Sequence, residues 1–369
     1  MKKIICTLLA LLILFSFCSC MENGITNEIT DFIMSEFHID WENFSAEKPT
    51  ERGSAYKIYF DSLSLNQKKA YNNIFNEVLD AGEQFPDKIE VPLMEGEELS
   101  QVYEAVIYDN PEIMCFGGGA SILTEGDFCF FKPEYTMTPE DMRTKTELLS
   151  EFADEICFGF TEDMSDFDRE LYIHDFIVKN CTYDCDKDDA GLAYTCLSSG
   201  YASCEGYAKA TKYLLEKAGI ECYNILGDAV NLQNVTESHM WNLVKINGNF
   251  YYLDTTWDDP SESSSIVSHA YFNLTENEIR TDHSNFKILQ PCESTEENYF
   301  TKTGNLFYSA DYYSRLKMED AFVSVLLKNE SSVELRFADD NAYFNGISIL
   351  IDEGKAYDIQ QNIKYLSLG

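Results

Sequence analysis

The hydrophobic positions between residues 203 and 219 follow a helical spacing. Small and apolar side chains recur every three or four residues, at Tyr207, Ala208, Thr211, Leu214, Leu215 and Ala218. This pattern predicts a helix with one buried face, which begins after a suitable N-cap, Ser203, and ends at a C-cap glycine, Gly219. Cys204 then lies in the first turn, where free backbone N–H groups and the helix dipole favour a thiolate.

Residues 239–256 alternate with the period of two that is typical of β-strands. The Asn-Gly dipeptide at residues 247–248 is a strong turn signal and predicts a hairpin. If the turn has two residues, His239 and Asp254 become diagonal neighbours on one face, with Cα atoms roughly 7–8 Å apart. A four-residue loop keeps this parity, whereas an unbulged three-residue loop places the two side chains on opposite faces.

A thiol, an imidazole and a carboxylate are the parts of a nucleophile, a base and an orienting group. We predict that Cys204 attacks a carbonyl, that His239 transfers the proton and that Asp254 holds the imidazole. The same parity puts three aromatic side chains near this triad, and we predict that they line an apolar groove for a peptide: Tyr207, Trp241 and Trp257. A position in the core is the alternative for Trp257.

The sequence motifs around these residues resemble those of the transglutaminase-like superfamily. They read CEGYA at 204–208, HMWN at 239–242 and YLDTTWDDP at 252–260. The resemblance implies an α+β fold, a papain-like core in which the cysteine helix packs on an antiparallel sheet, with N- and C-terminal accessory α/β regions. Many bacterial members carry glutamine after the cysteine. Here Glu205 stands in that place, an anion that opposes a thiolate beside it.

The activity that this resemblance implies is thiol-dependent acyl transfer on peptide or carboxamide substrates. Water as the acceptor makes a cysteine peptidase or amidase, and an amine makes a cross-linking transglutaminase. The superfamily contains both, and we favour hydrolysis for a protein outside the cell. The alternative is a catalytically silent surface binding module that keeps the fold as a scaffold. We predict a peptide or protein substrate and no cofactor.

The N-terminus has the pattern of a secretory signal. Two lysines precede an apolar run from Ile4 to Phe17, which is too short to span a membrane. Cys20 follows small residues and resembles the modified cysteine of bacterial lipoproteins; a plain secretory signal is the alternative. We therefore predict an exported protein that Cys20 anchors through lipid to the outer face of the bacterial cell membrane.

The remaining pattern predicts further regions on both sides of the core. We divide the chain into a signal peptide (1–19), a tether (20–60), an N-terminal α+β region (61–160), the transglutaminase-like core (161–290) and a small C-terminal α/β region (291–369). Helices are predicted over 62–81, 96–108, 138–157, 166–180 and 306–329, strands over 113–116, 128–131, 332–338 and 363–368, and either one over 344–353. The glycine run at 117–119 is interpreted as a connection between two strands, since no phosphate-loop lysine follows it.

Composition excludes some classes of partner. The chain has 27 basic and 64 acidic residues and a net charge of −37, so it repels nucleic acid and anionic lipid headgroups. The chain has 12 cysteines. Without Cys6 and Cys18 of the predicted signal and the lipidation candidate Cys20, nine remain, which is an odd number. That number fits either one free thiol with pairable partners or a fully reduced set. Cys181, Cys185 and Cys196 match no common zinc spacing, so we predict no metal.

The other histidines have weaker chemical signals than His239. His174 lies in a predicted helix and is interpreted as structural. His38, His269 and His283 lack a paired acid in a recognisable frame. The sequence therefore assigns the catalytic imidazole to His239 alone.

Overall fold

The structure is a computed structural model that describes residues 52–126, 128–231, 233–259, 267–328 and 332–352. The predicted signal peptide, the lipidation site Cys20, most of the predicted tether and the predicted strand over 363–368 lie outside these residues. Among the described helices, none combines the length and the hydrophobicity that crossing a membrane requires.

Helices and strands are mixed along the described chain. The helices are α1 (Ile58–Ser62), α2 (Leu65–Leu79), α3 (Gly96–Asp109), α4 (Pro139–Cys157), α5 (Asp166–Asn180), α6 (Ala193–Ser199), α7 (Cys204–Lys217), α8 (Glu276–Ile279), α9 (Tyr299–Thr303), α10 (Tyr312–Leu327) and α11 (Asp340–Ile347). The strands are β1 (Ile89–Val91), β2 (Phe116–Glu125), β3 (Phe128–Tyr135), β4 (Thr182–Tyr183), β5 (Tyr201–Ala202), β6 (Cys222–Val230), β7 (Thr236–Ile246), β8 (Asn249–Leu253), β9 (His283–Ser284), β10 (Leu306–Phe307) and β11 (Arg336–Phe337). The fold is therefore of the predicted α+β class.

A four-stranded antiparallel sheet carries the candidate chemistry, in the order β8-β7-β6-β9. Strands β7 and β8 form the predicted hairpin, with Ile246 opposite Asn249. Asn247 and Gly248 both have positive φ, at 49° and 86°, as a two-residue type I′ turn requires. The turn therefore fixes the register on which the predicted pairing of His239 with Asp254 depends.

Helix α7 packs on this sheet through a buried apolar face. Leu214 and Leu215 are buried in one cluster with Val244 and Ile246 of β7. The Asn242 side-chain amide donates to the carbonyl of Ala208 at 2.9 Å, which joins strand and helix by a buried hydrogen bond. These contacts hold the N-terminal end of α7 against the sheet, as the sequence predicts.

The N-terminal region contains a second sheet, in the order β1-β3-β2. The interpretation of glycines 117–119 as a connection is wrong, because they lie inside β2. The register of β2 against β3 shifts between Phe116 and Ala120, and Gly119 has a φ of 103°. A bulge of this kind needs residues without a side chain, so the glycines bend a strand and do not end it.

The C-terminal region is more helical than predicted. The predicted strand over 332–338 is reduced to β11, which pairs in parallel with β10. The ambiguous stretch that begins at residue 344 is helical, with α11 followed by a π-helical segment, Ser348–Asp352. The helix predicted from residue 306 begins only at Tyr312, because Leu306–Phe307 forms β10. The proposed domain boundaries stay a prediction.

Candidate active site

Cys204 is the first residue of α7, with Ser203 at the N-cap position in an extended conformation. The sequence predicts that the Ser203 hydroxyl caps this helix, but the hydroxyl makes no cap hydrogen bond. It donates instead to the carbonyl of Ala190. Gly206 permits this approach, since a Cβ there would lie 2.3 Å from the same carbonyl oxygen. The loop before the helix therefore packs against its first turn and leaves the Cys204 side chain partly exposed.

His239 and Asp254 are in direct contact, as the hairpin register predicts. The Nε2 atom of His239 lies 2.7 Å from Oδ2 of Asp254, and both side chains are buried. The second carboxylate oxygen of Asp254 accepts the backbone N–H groups of Thr256 and Trp257 at 2.9 and 3.1 Å. The carboxylate is therefore held in one orientation while it bonds the imidazole.

The electrostatic surroundings of His239 favour an imidazolium. Burial alone would lower the pKa of this residue, but the Asp254 carboxylate and then the Cys204 thiol raise it to about 10. Asp254 occupies Nε2, which leaves Nδ1 as the ring nitrogen that can face the thiol. A thiol, an imidazole and a carboxylate in one contact network are the elements of a thiol-based catalytic triad.

A second imidazole bonds the same carboxylate. The Nε2 atom of His283 lies 3.1 Å from Oδ2 of Asp254, and its Nδ1 atom lies 2.6 Å from Asp282. The sequence interpretation that His283 lacks a paired acid is therefore wrong. Pairing of β9 with β6 brings it to the site, with His283 opposite Ala229. We call His239, Asp254 and His283 the Asp254 group.

Both imidazoles act on the shared carboxylate. Burial alone would raise the pKa of Asp254, but His239 and then His283 hold it below the usual range. The pKa of His283 is raised, because its two carboxylate partners outweigh its burial. The carboxylate therefore favours the charged form of both rings, and both rings favour the ionised form of Asp254.

The comparison with protein families agrees with this geometry. Residues 152–255 match the model of the transglutaminase-like superfamily core, and the match includes Cys204, His239 and Asp254. The chain contains a transglutaminase-like domain. A search of curated protein sequences gave no match.

Three solved structures are similar to parts of the chain. A candidate cysteine protease from Cytophaga hutchinsonii is 12% identical over 37% of this chain and 61% of its own, with a TM-score of 0.26. A structure described as a TGase is 11% identical over 55% of this chain and 56% of its own, with a TM-score of 0.27. A candidate protease from Parabacteroides distasonis is 14% identical over 41% of this chain and 36% of its own, with a TM-score of 0.22. The chain thus spans about three fifths or less of each structure.

Of the three aromatic residues predicted to line a groove, two are buried inside the transglutaminase-like domain. Tyr207 is fully buried, and its hydroxyl donates to Asp259 at 2.6 Å. Trp241 is also buried and stacks on the His239 ring, with centroids 5.9 Å apart. Only Trp257 is partly exposed, where it contacts the rings of His239 and His283. Burial therefore argues against substrate contact by Tyr207 and Trp241, and contact by Trp257 stays a prediction.

Glu205, the departure from the superfamily pattern, is paired. Its carboxylate lies 2.6 Å from Nζ of Lys209, one turn further along α7. The Lys209 side chain is only 4% exposed, whereas that of Glu205 is 41% exposed. The buried cation offsets the anion beside Cys204.

The described chain also contains a second arrangement of two imidazoles on one carboxylate. Oδ1 of Asp175 lies 3.2 Å from Nδ1 of His174 and 2.9 Å from Nε2 of His269. We call these residues the Asp175 group. His174 is fully buried, in accord with a structural role, but the interpretation that His269 lacks a paired acid is wrong. In each of the two groups the donor atoms lie within 4.8 Å of one another, close enough to bind a metal ion.

The described cysteines are all free, and the set comprises Cys115, Cys129, Cys157, Cys181, Cys185, Cys196, Cys204, Cys222 and Cys292. Of the two alternatives left open by the sequence, the structure represents the reduced one. Cys181 and Cys196 interact with each other, and this contact lowers the pKa of Cys181.

Proposed function

We propose that the protein is a thiol-dependent acyl transferase of the transglutaminase-like superfamily that acts on peptide or carboxamide substrates. The observation that carries the proposal is the bonding of His239: its Nε2 atom contacts Asp254, and Asp254 and then the thiol of Cys204 raise its pKa. A nucleophile, a base and an orienting acid within one contact network are the requirements of a catalytic triad.

The proposed reaction has two halves. The Cys204 thiolate attacks the carbonyl carbon, and the His239 imidazolium gives its proton to the departing amine, so an acyl-enzyme forms. In the second half the neutral imidazole takes a proton from the acceptor, which attacks the thioester and releases the thiolate. Asp254 fixes the ring and stabilises its charged form. The N-terminal end of α7 supplies backbone N–H groups for the oxyanion, with that of Cys204 as the first donor.

We favour water over an amine as the acceptor, because water is present at far higher concentration outside a cell. Incubation of the protein with a diverse peptide mixture, with and without a primary amine, reports both reactions by mass. Peptide cleavage is the expected result. Mass gains that need the amine, without cleavage, would overturn the preference for hydrolysis.

Labelling by a thiol-directed acyl probe separates this proposal from a silent binding module. A scaffold needs no activated thiol, so labelling of Cys204 in the folded protein and its loss on denaturation are expected only of the enzyme. A folded protein whose Cys204 reacts no faster than free cysteine would favour the binding module.

We also propose that the protein is exported and lipid-anchored through Cys20. The support is the signal-like N-terminal sequence, with a lysine pair, an apolar run and small residues before Cys20. Cys20→Ala is expected to release the protein to the medium or to leave its signal uncleaved. A variant that is still processed and membrane-bound would contradict the anchor.

A further inference from the structure

The Asp175 group has an arrangement of donors that is independent of the proposed active site. His174 and Asp175 lie on α5, whereas His269 lies 94 residues from Asp175 in the chain. Two ring nitrogens and one carboxylate oxygen converge there. Ligands of a tetrahedral zinc ion are about 3.3 Å apart when each is about 2.0–2.1 Å from the metal. The distances from Asp175 to the two rings, 3.2 and 2.9 Å, are already close to that value.

The far nitrogen of each ring is held by another carboxylate. Nε2 of His174 lies 3.1 Å from Asp258, and Nδ1 of His269 lies 2.5 Å from Glu334. Metal-binding histidines usually donate their other ring N–H to a carboxylate, which fixes the tautomer and the ring orientation. In this group a carboxylate holds the far nitrogen of each ring. The two ring nitrogens that face Asp175 are therefore the ones available to a metal ion.

We propose that His174, Asp175 and His269 form a binding site for a divalent transition-metal ion of the zinc class. Two imidazoles with one carboxylate suit zinc and related first-row ions, whereas calcium and magnesium prefer oxygen ligands alone. No zinc motif is recognisable in the sequence, because the third ligand, His269, lies 94 residues from Asp175. The site lies outside Cys204, His239 and Asp254, so its test does not depend on the proposed enzyme activity.

The site has an entrance and room for a further ligand. Asp175 and His269 line a cavity of about 810 Å³ between the core and the C-terminal region. Three protein ligands leave a fourth position on a tetrahedral ion, which water or a small molecule in this cavity can take. His174 is fully buried behind this surface, so the ion would be reached from the cavity side.

The test uses untagged, chelator-treated full-length protein titrated with Zn²⁺ by calorimetry, and with Co²⁺ to follow visible absorption. One ion per chain at the Asp175 group and a cobalt spectrum of low-coordinate N/O ligation are expected. Asp175→Asn should weaken zinc binding by at least about 100-fold, and Glu334→Gln by about 10–100-fold. Circular dichroism checks that each variant is folded.

The Asp254 group supplies the matched control, since it offers the same donor types. Asp254→Asn should change zinc affinity at the Asp175 group by less than about threefold. If Asp175→Asn does not fold, Glu334→Gln replaces it, because Glu334 is partly exposed. Zinc binding that is absent from the native protein, or that Asp254→Asn abolishes and Asp175→Asn retains, would overturn the proposal.

Discussion

The Asp254 group and the Asp175 group share one arrangement, in which two imidazoles bond a single carboxylate oxygen. They differ in what the remaining ring nitrogens meet. In the Asp175 group both far nitrogens face carboxylates. In the Asp254 group only the far nitrogen of His283 faces a carboxylate, that of Asp282. The far nitrogen of His239 is available to Cys204. The same pair of rings and acid therefore suits a bound cation in one place and an activated thiol in the other.

The origin of the residues differs as well. His239 and Asp254 are brought together by a single hairpin and are 15 positions apart in the chain. The Asp175 group needs α5, the segment at residue 269 and Glu334 of the C-terminal region. The first is set by local register, and the second exists only when distant parts of the chain have packed.

The largest expected effect comes from removal of the thiol. Cys204→Ala should abolish labelling by an acyl probe and any peptide turnover, while the fold is kept, because alanine is a good helix former at a helix start. His239→Ala should lose nearly as much, at least about 10³-fold, since members of a triad act as a unit. His269→Gln is the matched change in the other group and should leave turnover within about threefold. Equal losses for His239→Ala and His269→Gln would remove the distinction between the groups.

The next effect tests the orienting carboxylate. Asp254→Asn should lower the rate of thiol acylation by about 10–10³-fold, less than the roughly 10⁴-fold loss in a serine triad. The loss is smaller because a thiolate–imidazolium pair depends less on the carboxylate. Asp175→Asn, assayed beside it, should have little effect. A larger loss of rate in Asp175→Asn than in Asp254→Asn would contradict the proposed role of Asp254 and point to the Asp175 group as the site of catalysis.

His283 is expected to act as a positioning residue through Asp254. His283→Gln should reduce the acylation rate by about 10-fold, in the range of one lost charge-assisted hydrogen bond. It should also raise the pKa of His239 further, because the positive charge of His283 no longer opposes that of His239. NMR titration of the His239 ring measures this shift. A slower enzyme with an unchanged His239 pKa would indicate a structural role alone.

Stability should depend on pH through the same residues. The pKa of His239 is about 10 in the folded protein, above about 6.5 in an unfolded chain. Its contribution to the free energy of unfolding is therefore complete below pH 6.5 and is lost as the pH rises from 6.5 to 10. The pKa of Asp254 is lowered, so its contribution is present above about pH 4 and is lost as the pH falls further.

Thermal unfolding from pH 7 to 10 measures the alkaline part of this dependence. The melting temperature should fall with rising pH, and it should fall less steeply in Asp254→Asn, where the pKa of His239 returns towards its ordinary value. The same slope in both proteins would show that His239 does not cause the dependence.

The smallest effect is expected at Glu205. Glu205→Gln removes the anion and leaves the buried Lys209 cation near the thiol, so alkylation of Cys204 by iodoacetamide should accelerate by up to about threefold at neutral pH. Lys209→Met is the opposite change and should slow the reaction. Unchanged rates in both variants would show that the pair has no influence on Cys204.

Contacts between residues close in the chain were easier to predict from sequence than contacts between distant residues. The hairpin was predictable because Asn247-Gly248 sets the register and a period of two sets the faces. His283 was not, because it reaches Asp254 only through pairing of β9 with β6. Its sole signal was the adjacent acid, Asp282.

Local patterns were also incomplete in two places. The glycines at 117–119 looked like a loop because sequence alone does not distinguish a bulged strand from a connection. Glu205 was interpreted only as an anion beside Cys204, although its spacing of four residues from Lys209 on a helix indicates an ion pair. Pairing of Glu334 with His269 had no local signal at all.

The turn at Asn247-Gly248 also bears on the order of folding. A hairpin closes on the order of 1–10 μs, and contacts between residues close in sequence form at a low entropic cost. His239 and Asp254 can therefore meet as soon as β7 and β8 pair. Cys204 joins them only when α7 has docked on the completed sheet, held by Asn242 and Ala208. On the proposed function, a newly made chain would therefore carry an unactivated thiol until its tertiary structure is complete.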